Sequence, residues 1–198
     1  MDEFLTNLEK FARANKIPVI FPDAREYLCE LCNKLQPQNI LEIGMAIGFS
    51  GSNMLRSFEG AKLTCLEVST PNIAMARQNF EAQGLNDRVQ IIEGDCMQTL
   101  PTLLGKKYDL IFLDGPKGQY VQMIDMILPL LSDKGVWVSD NVLFRGMVRD
   151  GAPILEPRFE KTVKALDEFL NKLQANTSLD VDILHIGDGL SVAKFKEG

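Results

Sequence analysis

Asn39-Ile-Leu-Glu-Ile-Gly44-Met-Ala-Ile-Gly48-Phe-Ser50-Gly51 reads as a short apolar strand that stops at a glycine-bearing turn and hands over to a helix. Gly44 and Gly48 permit tight turning and a close approach of backbone to a ligand. Ala46 stands where a dinucleotide-binding GxGxxG motif requires its second glycine, which argues against a nicotinamide dinucleotide.

Outward from this stretch the chain alternates between strand-like and helical patterns. Strand-like runs fall at Asn39 to Ile43, Lys62 to Glu67, Val89 to Glu93, Tyr108 to Leu113 and Gly135 to Ser139. Helical patterns lie between them at Ser50 to Phe58, Asn72 to Gln83, Met97 to Leu103 and Tyr120 to Leu131. Such alternation, with short Gly, Asp and Asn joints, predicts a parallel sheet covered by helices on both faces. After Asn141 a loop rich in Gly and Pro leads to a helix, Arg158 to Leu173, and two strands, Val181 to Ile186 and Leu190 to Phe195. Their Gly187-Asp-Gly189 joint is a hairpin signal, so the last strand should run antiparallel to its neighbours. At the other end Phe4, Leu5, Leu8, Phe11 and Ala12 recur at helical spacing, and Pro18 and Pro22 then impose an extended segment from Ile17 to Phe21. The first 35 residues read as a helical cover.

At 198 residues, 45% apolar and 24% charged, the chain suits one domain with a full core. No stretch approaches the roughly 18 apolar residues of a membrane span, and Met1-Asp-Glu lacks the basic start of a secretion signal, so a cytoplasmic protein without a membrane partner is expected. Four cysteines make no disulfide framework. Cys29 and Cys32 form a CxxC inside a helical pattern with no second pair, and read as core thiols. His185, the single histidine, falls in an alternating strand pattern and offers little for a triad. A net charge of −6 argues against a protein that coats nucleic acid non-specifically. Arg145, Arg149, Arg158, Lys161 and Lys164 form a local basic cluster, partly offset by Asp150, Glu156 and Glu160.

Ligands of such sheets bind outside the carboxyl ends of the strands. Asp114 follows one strand, and Asp140 and Asn141 follow its neighbour. Two carboxylates and an amide on one rim can hold Mg2+ (or Mn2+), a hard cation that wants about six oxygens and would keep open positions for two adjacent oxygens of a substrate. Glu67, 23 positions after Gly44, can accept both hydroxyls of a ribose, and Asp95 can reach an adenine amino group. No Walker Gly-Lys-Ser/Thr sequence is present, which argues against nucleoside triphosphate hydrolysis.

Three blocks, Ile40-Leu-Glu42-Ile-Gly44, Leu113-Asp114-Gly-Pro-Lys117-Gly-Gln-Tyr120 and Ser139-Asp140-Asn141-Val-Leu-Phe-Arg-Gly146, carry a resemblance. The chain resembles the class I S-adenosylmethionine-dependent, cation-dependent O-methyltransferases, the group that includes catechol and caffeoyl-coenzyme A methyltransferases. The last two blocks and Gly187-Asp-Gly-Leu are most similar to bacterial tRNA 5-hydroxyuridine methyltransferases. The resemblance implies a Rossmann-like α/β fold, a doubly wound and mostly parallel seven-stranded sheet closed by a C-terminal antiparallel hairpin strand. It makes residues 1–198 a single methyltransferase domain, with 1–35 the cover segment and 36–198 the core, and it implies a homodimer. It assigns the metal to Asp114, Asp140 and Asn141, and S-adenosylmethionine to Ile20, Glu42, Gly44, Ser50, Glu67, Asp95, Cys96 and Asp114. Asp114-Gly115-Pro116 departs from the Asp-Ala-Ala or Asp-Ala-Asp usual in the family.

The chemistry expected is attack of a deprotonated hydroxyl on a sulfonium methyl. A bound cation lowers the pKa of that hydroxyl, and Lys117 stabilises or accepts its proton, which makes Lys117 and Asp114 the candidate catalytic pair. Catechol and 5-hydroxyuridine both present two oxygens on adjacent carbons. The main expectation is methylation of the 5-hydroxyl of 5-hydroxyuridine at the tRNA wobble position, with the anticodon loop as partner and Phe144, Arg145 and Arg149 as base and backbone contacts. The alternative is a small catechol-like phenolic as acceptor, and a reading of another class is a non-catalytic S-adenosylmethionine- or RNA-binding module, disfavoured because all three metal-ligand positions are intact.

Overall fold

The computed structural model describes residues 3–196. Five strands run parallel: β1 (Asn39–Ile43), β2 (Lys62–Glu67), β3 (Val89–Glu93), β4 (Tyr108–Leu113) and β5 (Leu131–Asp140). β6 (Leu179–Leu184) and β7 (Leu190–Phe195) complete a seven-stranded sheet in the order β3-β2-β1-β4-β5-β7-β6, with β7 antiparallel to both neighbours. This is the doubly wound α/β arrangement with a terminal hairpin that the pattern predicts.

Period-two alternation divides each central strand between two apolar faces. Ile40, Leu110, Phe112 and Val138 pack against α1 (Glu3–Ala14), α2 (Pro22–Leu35), α3 (Phe49–Ser57) and α4 (Thr70–Ala82). Leu41, Ile43, Ile111, Leu113 and Trp137 face the opposite cluster, built with the short α5 (Cys96–Thr99), α6 (Tyr120–Ile127) and α7 (Glu160–Ala175). A strand buried on both sides carries little polarity, so β1 and β4 read as nearly continuous apolar runs.

Several boundaries move. β5 begins at Leu131 instead of Gly135, and its register against β4 shifts between Tyr108 and Leu110. That irregularity pairs Tyr108 with Leu131 and lets Gly135 pass where a side chain would meet the Tyr108 carbonyl at 2.9 Å. β6 lies two residues earlier than its alternation suggested, because Leu184 pairs with Leu190 and the joint spans 185–189. His185 therefore leaves the strand and sits exposed, with Nδ1 3.6 Å from Asp150. Of the CxxC pair, Cys32 is fully buried in α2 and Cys29 half-buried; burial pushes the Cys32 thiol up to about 12. Among the described residues no helix is long and apolar enough to cross a membrane.

α7 closes the second face through Phe169, whose ring meets Tyr120 edge-on at 5.2 Å and Trp137 at 5.8 Å. All three side chains are at most 1% exposed. Phe169→Ala is expected to lower the unfolding free energy by about 3–5 kcal/mol, read as a lower urea midpoint at an unchanged slope. A loss under about 1 kcal/mol would mean that α7 is not part of the cooperative core.

Candidate active site

A cavity of about 380 Å3 opens where β1 and β4 part company, at the carboxyl ends of the strands. β1 is the strand at which the winding reverses, so the cavity sits at the switch in strand order. Gly44, Glu67, Asp95, Cys96 and Asp114 line it, together with Gln119, which the sequence reading did not single out.

Gly44 shapes its floor. The residue has φ +91°, and a Cβ there would lie 2.8 Å from the Asp114 carbonyl carbon and 3.1 Å from Gly115 Cα. The two backbones can pass only because nothing projects from Gly44. The Asp114 N–H donates to the Ile43 carbonyl at 2.9 Å and holds the crossing in place. Gly115, the departure from the family pattern, has only ordinary contacts at a Cβ position, the nearest at 3.5 Å, so alanine would fit there.

Glu67 is held by backbone. Its Oε2 accepts from the Ala46 N–H at 2.8 Å, while Oε1 accepts from Val68 at 3.0 Å and Ser69 at 2.8 Å. Ala46 adopts a left-handed conformation, φ +47°, to present that N–H. Asp95 caps α5 by accepting from the Met97 N–H at 2.8 Å. Both carboxylates are thereby aimed at the cavity from the ends of adjacent strands.

Glu42 and Ser50 are brought together, but beneath the turn. Glu42 is fully buried; its Oε1 accepts from the Ser50 hydroxyl and its Oε2 from the Cys65 thiol at 3.5 Å. The register of β1 against β2, which pairs Glu42 with Cys65, sets that contact. Burial pushes the Glu42 carboxyl up to about 8, despite the hydrogen bonds from Ser50 and Cys65 that oppose it. Ile20, also fully buried, packs in the core beside α2 and does not line the cavity.

The acidic rim comes next to the cavity. Asp114 follows β4 and Asp140 ends β5, and these strands pair in register up to Leu113 and Ser139. The Tyr120 hydroxyl, buried beneath, lies 3.1 Å from the Leu113 carbonyl and 3.3 Å from that of Asp140, and ties the two strand ends. Lys117 Nζ reaches Asp114 Oδ1 at 2.6 Å. Asp140 is 1% exposed; its Oδ1 accepts from the Asn141 N–H at 2.7 Å, whereas its Oδ2 is buried with no hydrogen-bond partner. Burial and the neighbouring Asp114 carboxylate push Asp140 up to about 7. A buried carboxylate oxygen left bare beside a second carboxylate is the environment in which a cation is favoured. Among the described residues no three His, Cys, Asp or Glu side chains gather as a metal site; the expected set is two carboxylates and an amide, and Asn141 directly follows the end of β5.

The three residues beyond the rim separate. Phe144 is half-buried and meets Phe159 edge-on at 5.4 Å. Arg145 is exposed, with its guanidinium 5.5 Å from the Phe159 ring centre. Arg149 turns to α7, where its guanidinium donates to Asp167 at 3.2 Å, Asn171 at 2.6 Å and Gln174 at 2.7 Å. Asp188, which in the sequence is only hairpin punctuation, presents a half-buried carboxylate that accepts from the Arg145 N–H. No local pattern marks it, since its partners are about 40 residues away in sequence.

The profile of the family described as "O-methyltransferase" matches residues 2–196. A catechol O-methyltransferase of Niastella koreensis is 32% identical over 186 residues, which span 89% of this chain and 82% of that protein. The SAH-bound methyltransferase PaMTH1 of Podospora anserina is 31% identical, superimposes with a TM-score of 0.86, and the match covers 100% of this chain and 89% of that one. An O-methyltransferase of Bacillus cereus, solved with SAH, gives a TM-score of 0.87 at 26% identity over 99% and 92% of the two chains.

Glu42 yields a test by pH. The folded chain keeps a proton on this carboxyl up to about pH 8, whereas the unfolded chain releases it near 4.5. Its contribution to stability is full below about 4.5 and is lost as the pH rises toward 8. Glu42→Gln should flatten the fall of unfolding free energy across that window by up to about 1.4 kcal/mol per pH unit. Identical slopes for the two proteins would show that Glu42 ionises freely.

Proposed function

We infer that this chain, which belongs to the O-methyltransferase family, transfers a methyl group from S-adenosylmethionine to one hydroxyl of a catechol-like phenolic at a divalent-cation site. The family match covers nearly the whole chain, and the PaMTH1 relative binds SAH, the product that such a donor leaves behind. The single observation that carries the cation-assisted reading is the rim itself. Asp114, Asp140 and Asn141 sit side by side at the ends of two paired strands, with one buried carboxylate oxygen unpartnered.

S-adenosylmethionine, when bound, supplies a methyl group on a sulfonium, and a divalent cation, when bound, supplies charge that lowers the pKa of an acceptor hydroxyl and holds its neighbour. The cavity residues fit the donor. After its three backbone contacts Glu67 keeps about one lone-pair site, on Oε2, free for a ribose hydroxyl. Asp95, Cys96 and Gln119 form the end of the cavity suited to a nucleobase. Asp114, Asp140 and Asn141 fit the cation, because oxygen donors with spare lone pairs are what Mg2+ or Mn2+ requires. Lys117, held beside Asp114 at 2.6 Å, would as an ammonium stabilise the oxyanion of the acceptor, and would take the hydroxyl proton only as the neutral amine. Loss of that proton would leave an oxyanion able to attack the sulfonium methyl, with SAH leaving as the neutral thioether, and Ile43, Leu66 and Pro116 give the cavity an apolar wall.

Two observations favour a small catechol-like acceptor over 5-hydroxyuridine in tRNA. Arg149, a candidate for the RNA backbone, donates from each of its three guanidinium nitrogens to α7. The Niastella relative is a catechol O-methyltransferase. The deciding assay offers the purified protein a panel of catechols beside 5-hydroxyuridine-containing tRNA. Catechol methylation is expected to vanish on chelation, to return with Mg2+ or Mn2+, and to fall at least about 100-fold in kcat/KM for Asp140→Ala, since even partners of ligands are worth about 10–100-fold. Turnover that survives exhaustive chelation removes the cation, and methylation of the tRNA with no catechol turned over removes the acceptor.

A further inference from the structure

Asn141 occupies a backbone conformation that side chains rarely adopt, with φ +58°, and it begins a strained run. Phe144 at +43°, Arg145 at +60° and Gly146 at +71° follow within five residues. Left-handed conformations at non-glycine residues persist only where the surroundings over-determine them. What holds this run is the joint between β6 and β7. Val142 N–H donates to the Gly189 carbonyl and Leu143 N–H to the Asp188 carbonyl, each at 3.0 Å, and the Arg145 N–H donates to the Asp188 carboxylate. Asp140 pairs with Leu190 in the β5–β7 ladder, and the two main-chain bonds that follow lie one residue out of that register, so the irregularity falls at Asn141.

The joint is itself anchored at both glycines. A Cβ at Gly189 would lie 2.8 Å from the Leu143 nitrogen, so the two segments meet backbone to backbone. The Gly187 N–H donates to Asp23 Oδ2 at 2.8 Å, while Asp23 Oδ1 accepts from Ala24 at 3.0 Å in the first turn of α2. The loop after β5 is thus pressed against an element anchored in the N-terminal cover.

We propose that Asp188 is a positioning residue: its carboxylate and its carbonyl together clamp the loop that carries Asn141, and so set the oxygen of Asn141 relative to Asp114 and Asp140. The inference rests on the cation-site reading above and goes beyond it by assigning the orientation of the third ligand to the C-terminal hairpin. Asp188 touches neither donor nor acceptor in this role. It acts as the partners of metal ligands do, by restricting where a ligand can point.

The test measures Mn2+ binding, by the loss of its free paramagnetic resonance signal, and SAH binding by calorimetry, on wild-type protein, Asp188→Ala and Asp188→Asn. The alanine variant should bind Mn2+ at least about 10-fold more weakly and SAH within about twofold of wild type, because the cavity residues lie on other strand ends. Asp188→Asn should recover most of the loss, since its amide oxygen can still accept from the Arg145 N–H. Equal Mn2+ affinity in wild type and Asp188→Ala overturns the proposal alone. An asparagine variant as weak as alanine overturns it in favour of simple charge attraction, and joint loss of Mn2+ and SAH overturns it in favour of general unfolding. Wild-type protein that binds no Mn2+ sinks both this inference and the cation site.

Discussion

At Gly44 one backbone passes another so closely that no side chain can stand between them, and the cavity and the rim both follow from that crossing. β1 ends there, β4 arrives beside it, and the N–H of Asp114 is bonded to the carbonyl of Ile43. The Asp114 carboxylate is thereby committed to the carboxyl edge of the sheet, between the cavity on one side and Asp140 on the other. Tyr120 then fixes the second spacing, because one buried hydroxyl lies within reach of the last carbonyls of both β4 and β5. The site is a consequence of parallel strands ending level, with the acidic residues placed just where the ladder stops.

Two buried carboxyl groups in this edge have opposite fates, and the contrast separates scaffold from chemistry. Glu42 has hydrogen-bond partners at both oxygens, Ser50 and Cys65, and burial raises its pKa beneath the glycine turn. Such a group braces β1, β2 and α3 against one another. Asp140 has a donor for one oxygen only, and its second carboxylate neighbour adds to the cost of ionising. A fold tolerates an arrangement of that kind where an outside charge completes it. S-adenosylmethionine-dependent O-methyl transfer needs a cavity for the donor and an activated oxygen at its edge, and these two carboxyls mark the supported floor and the unsupported edge.

The antiparallel strand β7 gives the molecule something a purely parallel sheet would lack. A chain returning beside β5 brings a tight joint to the carboxyl edge, and that joint bonds the backbone of the segment following Asp140. The irregular stretch 141–159 is consequently ordered at its start by main-chain hydrogen bonds and farther on by Arg149 on α7 and by the Phe144–Phe159 pair. The basic residues of this stretch serve the fold before they can serve a ligand.

Much of this was legible in the sequence. Apolar runs of five or six residues between helical patterns gave the five parallel strands, Gly187-Asp-Gly189 gave the reversal, and acidic residues at strand ends marked the edge, because each signal is local in the chain. Element ends were less so: β6 slid by two residues and carried His185 out of the strand, since register is decided by the partner strand and not by alternation alone. The burial of Glu42 under the turn, the capture of Arg149 by α7 and the clamp at Asp188 could not be read at all. Each is settled by a partner eight to 45 positions away, and Gly187 is held by Asp23 across 164. A side chain's chemistry is written in its own residue, but its role depends on which distant atoms the folded chain brings within about 3 Å of it.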